Sequence, residues 1–94
     1  MTSKQRAMLR SMANTMDPIL HIGKEGITSG TIQQTEEALE ARELFKGTVL
    51  ENCPLSAREA LERLCEETGA EPVQAIGRRF VLYRPSREHP TIVL

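Results

Sequence analysis

The chain has 94 residues, a formal net charge of −1 at pH 7, 39% hydrophobic residues and only 3% aromatic residues. A chain of this length forms one domain and buries roughly 60–65% of its unfolded surface, so its core needs no disulfide or metal. Cys53 and Cys65 lack a second cysteine pair or a suitably spaced histidine, which argues against a zinc site. There is no run of eighteen apolar residues and no signal-peptide pattern, so we expect a cytoplasmic protein that does not contact membranes.

The first helix is predicted over about residues 3–14, because Thr2 and Gln5 have the spacing of a capping box. An apolar stripe at helical spacing is expected to face the core and consists of Met8, Leu9, Met12 and Met16. The basic side chains off this stripe are expected to face solvent together and are Lys4, Arg6 and Arg10. Asp17-Pro18 then ends the helix and introduces a short strand over 19–22.

A glycine loop, Gly23-Lys24-Glu25-Gly26, follows this strand and leads into a second helix of about 29–42, capped by Thr28 or Ser29. Its two glycines permit a tight turn with positive φ angles and allow a phosphate to approach without meeting a Cβ. The free amides and the positive end of the helix dipole favour an anion there, and Lys24 adds a full charge. The pattern fits a grip on a nucleic-acid backbone, although a plain strand-to-helix turn has the same spacing.

The second helix is expected to have a buried side and an acidic outer side. The buried side is predicted to hold Ile32, Thr35, Leu39 and Arg42. The outer side is predicted to hold Glu36, Glu37, Glu40 and Glu43.

A strand over 44–50 comes next by alternation, and Gly47 inside it is expected to weaken the strand or to mark a bulge. The capping box of Ser56 and Glu59 opens a third helix, which runs to Thr68 and stops at Gly69.

The end of the chain predicts a hairpin, with strands over 71–76 and 79–83 around a two-residue turn at Gly77-Arg78. This places Arg78 and Arg79 at an exposed tip and leaves residues 85–94 as an extended tail. The element order is helix-strand-helix-strand-helix-strand-strand. We therefore predict an α/β fold, an α+β two-layer sandwich in which helices pack on one four-stranded mixed sheet.

Charge is distributed unevenly along the chain. Residues 1–24 have a net charge of +3, residues 25–71 a net charge of −7, and residues 72–94 again +3. If the fold brings the two basic ends together, one face would carry about eight positive charges, enough to hold an anionic polymer.

No catalytic pattern is present. A P-loop needs four residues between its glycines and a Lys-Ser/Thr pair after them, and the glycine loop has neither. Carboxylate pairs such as Glu36 and Glu40 are expected on outward faces where nothing desolvates them. Neither His21 nor His89 has a serine or cysteine placed to form a nucleophile pair. We expect no enzyme activity, no catalytic residue, no cofactor and no metal.

Aromatic residues are too few for base stacking. The chain has only Phe45, Phe80 and Tyr83, and strand alternation places Phe80 in the core. Recognition of a nucleic acid should therefore depend on phosphates, sugars and shape.

Several segments occur in an order that is similar to one known family. They are Thr2-Ser3-Lys4-Gln5-Arg6, Leu9-Arg10, Asp17-Pro18-Ile19, Ile22-Gly23-Lys24-Glu25-Gly26-Ile27-Thr28, Ala38-Leu39-Glu40-Ala41-Arg42-Glu43-Leu44 and Ile76-Gly77-Arg78-Arg79-Phe80-Val81-Leu82-Tyr83-Arg84. These segments run through nearly the whole chain. They resemble the CRM domain family (chloroplast RNA splicing and ribosome maturation) in its stand-alone bacterial YhbY-like form.

The resemblance implies an RNA-binding domain similar in fold to the C-terminal domain of bacterial initiation factor three. It also implies association with ribosomal RNA in precursors of the large ribosomal subunit. By position, the glycine loop would be the RNA clamp, with the basic first helix beside it. Glu25 and Gly47 depart from the family pattern, which puts the strength of phosphate contact and the stability of the strand in doubt.

We therefore expect residues 1–94 to form a single, monomeric CRM-type RNA-binding domain that acts in large-subunit assembly. The residues expected to contact RNA are Lys4, Arg6, Arg10, Gly23, Lys24, Glu25, Gly26, Thr28, Arg78, Arg79 and Arg84. The alternative is a protein-interaction adaptor that binds a partner through its acidic helices or its apolar end, Ile92-Val93-Leu94.

Overall fold

Helices and strands alternate along the chain in the computed structural model, which describes residues 1–94. The elements are α1 (Ser3–Ala13), β1 (Pro18–Ile22), α2 (Ser29–Arg42), β2 (Leu44–Val49), α3 (Ala57–Thr68), β3 (Glu71–Ile76) and β4 (Arg79–Tyr83). The strands form one sheet in the order β1-β2-β4-β3, in which β1 is parallel to β2 and the other neighbours are antiparallel. The predicted α/β fold with a four-stranded mixed sheet is confirmed, and each element lies within one residue of its predicted bounds.

Capping boxes explain why the helices begin where they do. The N-caps Thr2, Thr28 and Ser56 each accept the N–H of the residue three positions on, whose side chain bonds back to the N–H of the cap. These bonds satisfy amides that would otherwise have no partner in the first turn. At the other end of α3, Gly69 adopts φ 75°, a left-handed conformation that terminates the helix.

The helices lie on both faces of the sheet. Helices α2 and α3 pack on one face over a core that contains Phe45 and Phe80. Helix α1 packs on the opposite face, where Leu9 and Ala13 meet Val81. Because neighbouring residues of a strand point to opposite faces, β4 contributes to both cores. Helix α1 thus adds a third layer and refines the predicted two-layer arrangement.

The contact between α1 and the sheet is narrower than the predicted methionine stripe. Leu9 and Ala13 are buried, but Met8 and Met12 are 39% and 38% exposed. Met8 lies roughly 100° and Met12 roughly 60° around the helix axis from Leu9, and both lie further from Ala13, on the flank of the helix. The prediction that they belong to the core is therefore wrong.

Gly47 provides space for the most enclosed aromatic ring of the molecule. A Cβ at this position would lie 2.4 Å from Cζ of Phe80, the residue with which Gly47 pairs across β2 and β4, and Phe80 is completely buried. A bulge lies beside the glycine on β1, where Pro18 pairs with Lys46 and Leu20 already pairs with Gly47. The extra residue of this bulge, Ile19, belongs to β1, whereas Gly47 pairs regularly between β2 and β4. The absence of a side chain at Gly47 makes room for the ring of Phe80.

Glu43 holds the end of the chain against α2. Its carboxylate accepts the N–H groups of Ser86, Thr91 and Ile92 at 2.8, 2.8 and 2.9 Å and the Thr91 hydroxyl at 2.7 Å. Burial alone would raise the pKa of Glu43, but these hydrogen bonds outweigh it and lower the pKa to about 2. The prediction that Glu43 faces solvent is wrong, since the residue is only 2% exposed.

Glu43 is buried because its backbone is no longer helical. It adopts φ 66°, so helical periodicity no longer determines which way its side chain points. Arg42, the last residue of α2, was expected to be buried but is exposed to solvent. Glu40, also expected outside, accepts the N–H groups of Arg87 and Glu88. Residues 85–94 form no helix or strand, yet Ser86 to Ile92 are held by hydrogen bonds to Glu40 and Glu43, and Ile92 packs against the core on the α1 face.

We expect Gly47→Ala to lower the free energy of unfolding by about 1–3 kcal/mol, the usual cost of overfilling a packed core. Urea unfolding measures this value. Gly30→Ala is the matched control, because its added Cβ would lie 3.6 Å from Thr28 Oγ1 and alanine favours the helix. Equal stability of Gly47→Ala and the wild type would contradict a tight fit of Phe80 on Gly47.

We expect the wild type to lose stability as the pH falls from 4.5, the ordinary pKa of a glutamate, to about 2, the pKa of Glu43 in the folded chain. The folded state binds this proton more weakly than the unfolded state, so the stabilisation is complete above this window and disappears below it. Glu43→Gln should be less stable at neutral pH and lose less stability across the window. Urea unfolding at several pH values tests this, with the exposed Glu62→Gln as control. A decline as steep in Glu43→Gln as in the wild type would refute the role of Glu43.

Candidate nucleic-acid interface

The glycine loop lies at the end of the sheet where β1 and β2 both finish. The N–H of Leu50 donates to the carbonyl of Ile22 at 2.8 Å, which places the chain after β2 beside the start of the loop. The N–H of Gly26 donates to the carbonyl of Gly23 at 3.0 Å and closes the turn. The two residues between the glycines, Lys24 and Glu25, are both exposed to solvent.

The two glycines of the loop have different structural roles. Gly26 is buried and has φ 66°, a conformation that favours glycine. Gly23 has no positive φ, and a Cβ there would lie at ordinary contact distances of 3.8 Å from Leu50 Cδ1 and 3.9 Å from Asn52 Oδ1. The expectation of positive φ angles thus applies to Gly26 alone, and the fold can accommodate a side chain at Gly23.

Thr28 acts as the cap of α2. Its Oγ1 accepts the N–H of Thr31 at 3.2 Å, while Thr31 Oγ1 accepts the N–H of Thr28. The hydroxyl of Thr28 is therefore engaged within the chain. The N–H of Thr31 is thereby satisfied, while the N–H groups of Ser29 and Gly30 in the same first turn have no intrahelical partner and lie next to the glycine loop.

The hairpin turn, Gly77 and Arg78, lies at the same end of the sheet. The carbonyl of Arg78 accepts the N–H of Val49 at 2.8 Å and the Thr48 hydroxyl at 3.2 Å. Val49 in turn pairs with Ile22, the last residue before the loop. Since neighbouring strands are about 4.8 Å apart, the hairpin turn and the loop are separated by about 10 Å. Arg78 and the adjacent Arg79 are exposed there.

Helix α1 does not lie directly beside the loop, contrary to the expected arrangement. The Arg6 guanidinium Nε donates to the carbonyl of Pro72 at 3.2 Å, on edge strand β3. Strand β3 is three strands away from β1, which carries the loop. Lys4 and Arg10 are exposed on the same helix. The face of the sheet therefore lies between the basic residues of α1 and the glycine loop.

Arg84 is not available to a ligand, so its predicted role in RNA contact is wrong. It is 9% exposed, and its Nη1 donates to a Glu36 carboxylate oxygen at 2.9 Å and to the carbonyl of Thr68 at 2.8 Å. Strand alternation could have revealed this, because Arg84 points to the same face as Phe80 and Leu82, under the acidic helices.

Arg87 also lies on the acidic side of the molecule. It lines a cavity of about 510 Å³ together with Glu36, Glu37, Glu40 and Glu88. The two basic ends of the chain therefore converge only in part, since Arg84 and Arg87 lie among glutamates.

Lys46 was not among the predicted site residues, because it belongs to the acidic middle of the sequence. In the fold it lies on the face of the sheet that carries α1, beyond the area that α1 covers. On the same face, His21 pairs with Thr48 and Thr48 pairs with Arg79 across β1, β2 and β4. We call this area, formed by His21, Lys46, Thr48 and Arg79, the open sheet face.

Opposite charges lie on opposite sides of the sheet. The α2 and α3 side carries the outward glutamates, namely Glu36, Glu37, Glu59, Glu62, Glu66 and Glu67. They outnumber the exposed arginines of the same helices and the tail, which are Arg42, Arg58, Arg63 and Arg87. The loop end and the open sheet face carry four basic side chains, namely Lys24, Lys46, Arg78 and Arg79. The acids near these are Glu25 in the loop, Glu51 in the turn after β2 and Asp17, which shares a cavity with Lys46. The fold thus converts a nearly neutral chain into a molecule with a basic side and an acidic side.

Other kinds of site find little support in the structure. No three His, Cys, Asp or Glu side chains are grouped to hold a metal ion. None of the three helices has the length and the apolar character that a membrane-spanning helix needs. Burial and the nearby Glu71 carboxylate raise the pKa of the Cys65 thiol to about 11, which keeps this thiol protonated. The rings of Phe45, Phe80 and Tyr83 are all buried, so none is available to stack on a base.

Comparisons with known proteins point to one family. The family model for the CRS1 / YhbY (CRM) domain matches residues 1–84. The chain is 43% identical over 94 residues to a Bacillus subtilis protein named probable RNA-binding protein YqeI, covering 100% of this chain and 98% of the relative. It is 34% identical over 88 residues to a Haemophilus influenzae protein named RNA-binding protein, covering 94% of this chain and 89% of the relative. The solution structure of the hypothetical protein SAV1595 from Staphylococcus aureus matches with a TM-score of 0.82 and 46% identity, covering 100% of this chain and 98% of that one.

Proposed function

Since the chain belongs to the CRS1 / YhbY (CRM) domain family, we propose that it is an RNA-binding protein that holds RNA backbone at the loop end of its sheet. The relatives from Bacillus subtilis and Haemophilus influenzae are named as RNA-binding proteins, which supports this assignment. Residues 1–94 act together as one binding domain, and the protein is not an enzyme.

The observation that carries the proposal is the separation of charge across the sheet. Lys24, Arg78 and Arg79 are exposed at one end of the molecule, while the outward glutamates of α2 and α3 lie on the other side of the sheet. A polyanion that approaches this protein is attracted by the first surface and repelled by the second. RNA is therefore oriented before any close contact forms.

The glycine loop supplies the central contact. Lys24 provides the charge, the first-turn amides of α2 provide N–H donors, and Gly23 leaves room for a phosphate oxygen to approach the backbone. Glu25 places a carboxylate beside this site, which lowers the affinity for phosphate. Arg78 and Arg79 extend the contact across the end of the sheet, and Arg10 of α1 extends it across the face.

The biological target is inferred from the family resemblance. We propose ribosomal RNA in precursors of the large ribosomal subunit as the ligand and a cytoplasmic monomer as the active form. Crosslinking in cells, followed by sequencing of the bound RNA, tests this. Enrichment of large-subunit precursor sequences is expected, and enrichment of unrelated messenger RNA would contradict the ribosomal target.

A protein-interaction adaptor is the second candidate, and one observation favours it. Val93 is 86% exposed at the apolar end of the chain, and Leu94 is 43% exposed. Against it, Glu40 and Glu43 already bind the chain's own tail, so part of the acidic surface is occupied. Purification with and without RNase distinguishes the two: co-purifying RNA supports RNA binding, and a stable protein partner that survives RNase supports the adaptor.

We expect Gly23→Asp to weaken RNA binding at least about tenfold while the fold stays intact, because its carboxylate occupies and repels the phosphate site. The new Cβ meets its neighbours at ordinary distances, 3.8 Å or more, so circular dichroism should be unchanged. Ala41→Asp adds the same charge on exposed α2 and should bind RNA as the wild type does. Wild-type affinity in a folded Gly23→Asp variant would exclude the glycine loop as the RNA clamp.

We also expect log affinity to fall with log salt at a slope of roughly −3 to −5, if about four to six basic side chains meet phosphates. Lys24→Gln should make the slope shallower by about one unit, because it removes one phosphate contact. Arg87→Gln should leave the slope unchanged, since Arg87 lies among glutamates. Fluorescence anisotropy over a potassium chloride series measures all three slopes, and a wild-type slope near zero would refute phosphate contact.

A further inference from the structure

The open sheet face has the geometry of a second contact surface for RNA. We propose that it binds the sugar–phosphate backbone of a double-helical segment that adjoins the strand held by the glycine loop. This inference rests on the proposed function, since it concerns a larger part of the same ligand.

The surface exists because α1 covers only part of its side of the sheet. Helix α1 packs over Leu44, Val81 and Tyr83, toward the end of the sheet that is away from the loop. His21, Thr48 and Arg79 form a row across three strands at the loop end, and this row spans about 10 Å.

The open sheet face is continuous with the loop and with α1. His21 is two residues before Gly23, so the row begins where the loop begins. At the other side, Lys46 and Arg79 line a cavity of about 250 Å³ together with Asn14, which caps the end of α1. One ligand can therefore contact the loop, the sheet face and the end of α1, with Glu25 and Asp17 as the acidic residues along this path.

The chemistry of these side chains suits sugar and phosphate. Lys46 and Arg79 are hydrogen-bond donors with full positive charge, and the carboxylate that shares a cavity with Lys46 is that of Asp17. The Thr48 hydroxyl donates to the carbonyl of Arg78, which leaves its oxygen lone pairs free to accept a 2′-hydroxyl. Contacts of this kind recognise the minor-groove side of an RNA helix by shape, with little dependence on sequence.

Because the protein exposes no aromatic side chain, this surface is better suited to an RNA double helix than to single-stranded RNA. Single-stranded RNA gains much of its affinity on protein surfaces by stacking its bases on aromatic side chains. Phe45, Phe80 and Tyr83 are all in the two cores and cannot provide such a platform. In a double helix the bases already stack on one another, and only backbone and groove remain to be contacted.

The experiment compares two RNA probes by fluorescence anisotropy. One is a hairpin with a stem of one helical turn and a single-stranded extension, and the other is the extension alone. We expect the wild type to bind the hairpin at least about tenfold more tightly, because more phosphates are contacted. A DNA hairpin of the same sequence should bind more weakly than the RNA hairpin, and equal binding would overturn the assignment to an RNA helix.

The variant Lys46→Glu reverses the charge of a residue that belongs to the open sheet face alone, and it keeps the loop, Arg78 and Arg79. We expect it to lose about tenfold in affinity for the hairpin and less than about threefold for the single strand. The control Arg63→Gln/Arg87→Gln removes two exposed arginines from the acidic side and should bind both probes as the wild type does.

The outcomes separate the two proposals. Equal wild-type affinity for hairpin and single strand, or an equal loss for both probes in Lys46→Glu, would overturn the second surface and leave loop binding intact. Failure of the wild type to bind either RNA would overturn the proposed function itself. Circular dichroism and urea unfolding confirm that each variant is folded.

Discussion

The alternation of side chains along β4 is the constraint on which the rest of the structure depends. Phe80 and Leu82 point into one core and Val81 and Tyr83 into the other, so this strand is buried on both faces. Burial on both faces requires helices on both sides of the sheet, because a single layer of helices would leave one apolar face in water. The short helix α1 supplies the second cover. It is too short to cover its face completely, and the uncovered part becomes the open sheet face.

This arrangement also determines where charge accumulates. The two helices with most of the glutamates lie together on one face, and they bind Arg84 and the tail of the chain there. Two arginines of the basic C-terminal region thereby become part of the acidic side. Lys24, Arg78 and Arg79 remain exposed together at the loop end. A nearly neutral protein can therefore present a surface with several positive charges to a polyanion.

The proposed RNA surface is built mainly on elements that the fold already holds in place. The loop is closed by the hydrogen bond between Gly26 and Gly23, and the hairpin turn is tied to β2 through the carbonyl of Arg78. A surface that is ordered before binding loses less conformational entropy when the ligand arrives. Long, exposed side chains such as Lys24 still lose rotamer freedom on binding, which limits what each one contributes.

The boundaries of the helices and strands, the sheet composition and the glycine loop followed from the sequence, because capping boxes, alternation and turn glycines are local signals within a few residues. The family resemblance followed from the order of the same segments. Tertiary structure alone decided which charges are free. Glu43 meets Thr91 across 48 positions and Arg84 meets Glu36 across the same separation, and periodicity carries no information on such distant pairs. Lys46 is a candidate contact only because α1 leaves the part of the sheet around Lys46 uncovered. How far a helix extends over a sheet is set by the tertiary structure and leaves no local pattern in the sequence.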